Sequence, residues 1–157
     1  MMKHSVIIEI SCCRLFIEET DGWITQIHFR NEQPLSSDGG SEVLRQAIRQ
    51  LKEYFAGERR SFDLPIHIAG TAFQEKVWRE LKKIPYGETV SYGQIAANIG
   101  NPKASRAVGS ANHNNPVSIV IPCHRVIGAN GKLTGYGGGL DMKKMLLDLE
   151  RNTKPIV

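Results

Sequence analysis

No apolar run in the chain approaches the roughly 18–20 residues that a bilayer-spanning helix needs, so a membrane protein is not expected. The first ten residues hold only a short apolar stretch, with Glu9 inside it, which argues against a secretory leader. Cysteine is scarce. Three of them, an odd number, do not make a disulfide framework and suit a reducing, cytoplasmic compartment. Internal repeats and low-complexity tracts are also missing, which removes solenoids and disordered linkers. What remains is an ordinary globular composition: 157 residues, 41% hydrophobic and 23% charged. Such a chain makes one or two small domains and buries roughly 70% of its unfolded surface without staples.

Charge divides the chain. Residues 1–69 carry 8 basic and 10 acidic side chains, whereas residues 70–157 carry 12 and 6. A basic second part points to a polyanionic partner, although a solvated basic face is the commoner cause of such a bias.

Three strands are expected at 6–10, 14–19 and 23–30, the last two joined by the tight-turn signal Thr20-Asp21-Gly22. Alternation puts Trp23, Thr25, Ile27 and Phe29 on one face of the third strand. A glycine-containing loop at 33–40 leads into a helix in which Val43, Leu44, Ala47, Ile48, Leu51 and Phe55 recur at helical spacing, with Gly57 as its stop. These elements make a small α/β domain over residues 1–69, and no chemical constellation stands out in it.

Residues 70–157 read as short helices. Thr71 with Gln74, and Ser91 with Gln94, are capping boxes that open two of them. Phe73, Val77, Trp78 and Leu81 form the apolar stripe of the first. Asn101 as cap and Pro102 at the first helical position open a third helix over 103–112. Two short helices joined through Gly100 have the form of a helix-turn-helix. The third helix is thin: Ala104, Ser105, Ala107, Gly109, Ser110 and Ala111 leave Arg106 as its one long side chain. Such a helix could lie close to a nucleic-acid groove, and it could equally pack against another helix with Arg106 in solvent. A buried strand is expected at 117–121 and a wing turn at Asn130-Gly131. A last helix runs over 140–150, with Met142, Met145, Leu146 and Leu149 inward.

Between that strand and the wing lies Pro122-Cys123-His124-Arg125. A thiol beside an imidazole, with Arg125 adding positive potential, is the setting that lowers a cysteine pKa. Glu150 is a candidate to orient the imidazole, with His124 acting through a water. Taken by itself, a Cys-His pair is more often incidental, with the cysteine a core thiol.

The string Pro122-Cys123-His124-Arg125-Val126-Ile127-Gly128 closely resembles the active-site motif of the O6-alkylguanine-DNA alkyltransferases, the methylated-DNA–protein-cysteine methyltransferases. The blocks Gly70-Thr71-Ala72-Phe73-Gln74, Tyr86-Gly87-Glu88-Thr89-Val90-Ser91-Tyr92, Asn101-Pro102-Lys103-Ala104-Ser105-Arg106 and Thr134-Gly135-Tyr136-Gly137-Gly138-Gly139-Leu140 resemble that family in order and spacing. The likeness is strong over residues 70–151 and only one of layout before them. It implies an α/β, ribonuclease H-like N-terminal domain followed by a mostly helical, winged helix-turn-helix domain. It also implies direct-reversal DNA repair, in which the alkyl group of O6-alkylguanine, and of O4-alkylthymine, passes irreversibly to Cys123 in a single turnover with no cofactor.

By the same resemblance Glu150 orients His124, which deprotonates Cys123 through a water, and Asn115 is a hinge. Tyr92, with Lys143 nearby, serves the leaving guanine. Tyr92, Gly93, Asn101 and Arg106 contact double-stranded DNA in the minor groove, Arg106 filling the place of the flipped base. Val126, Tyr136, Gly137, Gly138 and Lys143 wall the pocket. A monomer is expected. Gly137 stands where some relatives have serine, which leaves the alkyl size open. No metal is expected either: Cys12 and Cys13 are adjacent and would point to opposite faces of a strand, and His4, His28 and His67 do not match the zinc spacing of some relatives. Three other functions compete: a non-catalytic module that binds alkylated DNA, which the presence of Cys123 disfavours; a Cys-His hydrolase, for which nothing else in the chain speaks; and a helix-turn-helix regulator, which needs longer reading side chains than the third helix has.

Overall fold

The structure is a computed structural model that describes residues 2–11, 13–33, 41–133, 136 and 139–153. The chain divides into two compact units. One comprises Met1–Ile68, rejoined by the chain from Thr153, and the other is Ala69–Asn152. Among the described residues no helix is long and apolar enough to cross a membrane.

In the first unit β1 (Lys3–Ile10), β2 (Cys13–Thr20) and β3 (Trp23–Phe29) form an antiparallel meander in that order. The β2–β3 turn is tight because Asp21 and Gly22 both adopt left-handed backbone, at φ 51° and 85°. That is the hairpin geometry that matches strand twist. The facing of β3 differs from simple alternation. Glu18 pairs with Gln26 and Glu19 with Ile24, so Thr25 is an extra residue, a β-bulge. The bulge turns Ile24 and Ile27, three apart, both into the core, and leaves Trp23 at 49% exposure. The outer edge of β3 is covered by residues 65–67: the Ile24 amide donates to the Pro65 carbonyl at 2.7 Å and the His67 amide to that of Ile24 at 3.0 Å.

Helix α1 (Glu42–Phe55) starts at Ser41, whose hydroxyl accepts from the Leu44 amide, and packs on all three strands. Its buried face is Leu44, Ala47, Gln50, Leu51 and Tyr54. Val43, Ile48 and Phe55 are only half-buried, so the inward stripe is narrower than the sequence suggests and includes Gln50. That amide is matched on both sides by the Asp63 backbone, at 3.0 and 2.9 Å, so its burial costs little.

The second unit contains α2 (Ala72–Leu81), β4 (Val90–Ser91), α3 (Tyr92–Asn98), α4 (Ser105–His113), β5 (Val126–Ile127) and α5 (Leu140–Asn152). Both capping boxes form, with Thr71 and Gln74 closing the start of α2 and Ser91 and Gln94 that of α3. Three elements differ from the sequence reading. Helix α4 begins later, after a turn in which the Ala104 amide donates to the Asn101 carbonyl at 3.0 Å, so Asn101 is no cap and Pro102 no first helical residue. Residues 117–121 make only an isolated bridge between Ser118 and Ile121, and the strand is instead β5, parallel to β4. Asn130-Gly131 does form a tight turn, with the Gly128 amide donating to the Lys132 carbonyl at 2.9 Å, but among the described residues no wing strand returns from it.

α2 and α4 are joined through Trp78, 2% exposed, whose indole N–H donates to the Ala111 carbonyl at 2.8 Å. Trp78→Phe removes this bond and leaves a small cavity, and is expected to destabilise the second unit by about 2–4 kcal/mol, measured by urea unfolding.

Candidate active site

The loop before Cys123 is held by one amide. Asn115 Nδ2 donates to the Ile121 carbonyl at 2.8 Å, and Asn115 Oδ1 accepts from the Val117 amide at 3.0 Å. Inside that loop Ile119 has φ 73°, a strained conformation for a β-branched residue, and the Val120 amide donates back to the Ser118 carbonyl at 2.9 Å. The chain then enters a single 3-10 turn, Cys123–Arg125, which sets three successive side chains into the interior.

Cys123 is 4% exposed. Burial pushes its thiol pKa up, against the pull of hydrogen bonds from Asn115 and Tyr136 and of the nearby Lys143 charge. The Cys123 side chain is therefore a neutral thiol at neutral pH. His124, fully buried, lies next to it. Burial lowers the imidazole pKa against the raising influence of Glu150, so it is an uncharged base at neutral pH. Its Nε2 meets Glu150 Oε2 at 2.7 Å, which leaves Nδ1, buried and without a partner among the described residues, as the accepting nitrogen.

Glu150 receives more than His124. Arg125 Nε donates to Oε1 at 2.8 Å and Nη2 to Oε2 at 2.9 Å, and the Gly87 amide donates to Oε1 at 3.1 Å. Burial by itself would raise this carboxyl, yet the hydrogen bonds from His124 and Arg125 hold it well below the usual carboxylate range. Arg125 also donates to the Ile84 carbonyl at 2.7 Å. Its charge is thus committed to Glu150 and does not lower the Cys123 pKa as the sequence reading expects.

The cation that faces the thiol is Lys143. It is fully buried on α5, donates to the Val126 carbonyl at 2.5 Å, and stands 5.9 Å from the centre of the Tyr92 ring. Burial lowers its pKa from 10.5 to about 8, against the Cys123 influence. The inward face of α5 is consequently Lys143, Leu146, Leu147 and Glu150, while Met142, Met145 and Leu149 are only half-buried, another correction to the sequence reading. Tyr92 opens α3 and leans on α4, where a Cβ at Gly109 would sit 3.9 Å from its ring.

Of the residues nominated from sequence, Cys123, His124, Glu150, Asn115, Val126, Tyr136, Lys143 and Tyr92 come together in this unit. Gly93, Asn101 and Arg106 are exposed on the helix-turn-helix, and Gly137, Gly138 and Cys12 lie outside the described residues. Sequence reasoning missed the clamp made by Arg125, Gly87 and Ile84, and it missed Asn112. The spacing of Lys143 and Glu150, seven apart on one helix face with Leu146 and Leu147, was the available signal for their shared burial.

Fold and site together define a class: a two-unit protein whose helix-turn-helix unit carries a buried cysteine backed by a histidine and a carboxylate. Comparison with known proteins places it further. Residues 72–152 match the DNA-binding domain of 6-O-methylguanine DNA methyltransferase, and residues 7–68 match its ribonuclease-like domain. A methylated-DNA–protein-cysteine methyltransferase of Methanosarcina acetivorans is 63% identical over 119 residues, 76% of each chain. The crystal structure of the Mycobacterium tuberculosis O6-methylguanine methyltransferase is 43% identical, with a TM-score of 0.85 over 98% of this chain and 96% of that one. Another M. tuberculosis structure, OGT in complex with DNA, is 45% identical with a TM-score of 0.85, covering 95% and 93%. The chain belongs to the methylated-DNA–protein-cysteine methyltransferase family, enzymes of direct DNA repair that move the methyl group of O6-methylguanine onto a cysteine.

The Lys143 pKa has a consequence for stability. Between about pH 8 and 10.5 the unfolded chain keeps the lysine proton that the folded chain has lost, so this group makes the fold more stable as pH rises through that window. Lys143→Met removes the burden of a buried charge below pH 8. Its stability relative to wild type, read by urea unfolding from pH 7 to 10, is expected to be greatest at pH 7 and to decline toward pH 10.

Proposed function

We propose that Cys123 is the alkyl acceptor. The observation that carries this reading is the buried Cys123 thiol adjoining a neutral imidazole whose far nitrogen is fixed by Glu150 at 2.7 Å. A thiol that burial keeps protonated needs a base, and His124 Nδ1 is the ring nitrogen that Glu150 leaves open to accept a proton. Through one water it takes the Cys123 proton, and Glu150 steadies the imidazolium that results. The thiolate sulfur attacks the alkyl carbon in line, the carbon–O6 bond breaks, and its electron pair leaves with the guanine. Tyr92 and Lys143, close to each other, supply the proton and positive charge that the leaving base needs. The product is a thioether that no side chain here reverses, so each molecule turns over once, with no cofactor. Asn115 acts as the hinge between the helix-turn-helix and the acceptor loop.

Guanine O6 lies inside the duplex, and the base must leave the stack at a cost of roughly a few kcal/mol. The thin exposed face of α4, with Arg106 at its second position, supports docking in the minor groove with Arg106 occupying the vacated stack. Tyr92 crowds the phosphate, Gly93 and Asn101 line the contact, and Val126, Tyr136, Gly137 and Gly138 wall the pocket. The same pocket would take O4-alkylthymine. The protein acts as a monomer in the cytoplasm, where a reducing environment keeps Cys123 a free thiol.

Intact-mass analysis after mixing with duplex DNA carrying one O6-methylguanine tests the assignment. One added methyl, mapped to Cys123 and saturating at one equivalent, is expected; tight binding without a mass change would turn the reading to a damage-binding module. Arg106→Ala is expected to slow repair of the duplex by about tenfold or more while reaction with the free alkylated base stays within about twofold, because only the duplex requires flipping. Single-turnover assays on the two substrates check this, and equal losses would remove Arg106 from that role.

A further inference from the structure

Asn112 is the one buried polar residue of α4 that the mechanism leaves unused. It sits in the last turn of the helix, 2% exposed, and its Nδ2 donates to the Cys123 carbonyl at 3.3 Å. That bond settles which way the amide points, since a carbonyl oxygen can only accept and the nitrogen must face it. The other amide atom, Oδ1, is buried and makes no hydrogen bond among the described residues. Oδ1 and Nδ2 share one carbon, so this acceptor lies beside the acceptor cysteine's own backbone. A buried carbonyl oxygen left unmet is costly, and one that waits beside a reacting centre is suited to a donor that arrives with the substrate.

The substrate has a single such donor. In O6-alkylguanine the ring nitrogen N1 carries no proton and N9 is bound to the sugar, which leaves the exocyclic 2-amino group as the only N–H on the base. O4-alkylthymine has none. We infer that Asn112 is a specificity-determining residue: its Oδ1 accepts a hydrogen bond from the 2-amino group of the flipped guanine while its Nδ2 holds the Cys123 carbonyl. One side chain thereby couples recognition of the purine to the placement of the acceptor. The inference rests on the transfer reading above. Methyl transfer by the wild type serves as the control that separates failure of the one from failure of the other.

The probes are two duplexes identical except for one atom group, O6-methylguanine in one and O6-methylhypoxanthine, which lacks the 2-amino group, in the other. Single-turnover rates of methyl transfer are compared for wild type and for Asn112→Leu, which keeps the size and removes the amide. Wild type is expected to favour the guanine substrate by about tenfold, the worth of one hydrogen bond to a buried acceptor. In Asn112→Leu that ratio is expected to fall to within about twofold of one, with the thermal unfolding midpoint used to confirm that the variant is folded. An unchanged ratio in the variant, including slowing of both substrates in step, overturns the inference and leaves Asn112 a purely structural clamp. A wild-type ratio near one overturns it without any variant. Transfer from neither substrate by the wild type would instead overturn the transfer reading itself.

Discussion

The buried carboxylate of Glu150 is the point on which the second unit is built. It accepts from His124, twice from Arg125 and once from the Gly87 amide, so each oxygen has two partners. An ion in such a place is tolerable only when it is matched this completely, and losing one partner would strand a buried charge. The same anion therefore does two things. It pins the end of α5 to the 3-10 turn and to the α2–β4 connection, and it fixes the imidazole with Nε2 occupied and Nδ1 open. Structural stability and the orientation of the His124 imidazole share one residue.

That arrangement explains why the cysteine is buried and neutral at rest. An exposed, low-pKa thiolate would react with any soft electrophile. A protonated thiol at 4% exposure reacts only with what is brought to it. Around it stand the helix-turn-helix of a unit that matches a DNA-binding domain and the 3-10 turn that holds the thiol. Asn112 stands at the junction, since it belongs to α4 and touches the backbone of Cys123. Lys143 is the cation whose charge acts on the sulfur, a buried side chain 5.9 Å from the centre of the Tyr92 ring.

Much of this was legible in the chain, for local reasons. Both capping boxes, the Asp21-Gly22 turn and the α1 stop at Gly57 depend on contacts within a few residues, and these formed as read. Elements that depend on distant partners were not. Regular alternation in the third strand gives way to the bulge at Thr25, because pairing with β2 and burial of both Ile24 and Ile27 outweigh the period of an isolated strand. Asn101-Pro102 looked like a helix start, but the link from α3 folds it into a turn and delays α4 to Ser105.

The sequence by itself determined the chemical inventory: a cysteine followed by a histidine after Pro122, a glutamate near the end of the last helix, and one helix of small side chains with a single arginine. Those are properties of residue type and short spacing, and they survive without a fold. Tertiary structure decided how the charges are spent. Arg125 neighbours Cys123 in the chain by two positions, yet its guanidinium belongs to Glu150, while Lys143, twenty positions away, is the cation that faces the sulfur. Coulomb energy depends on distance and burial, and adjacency along a chain fixes neither.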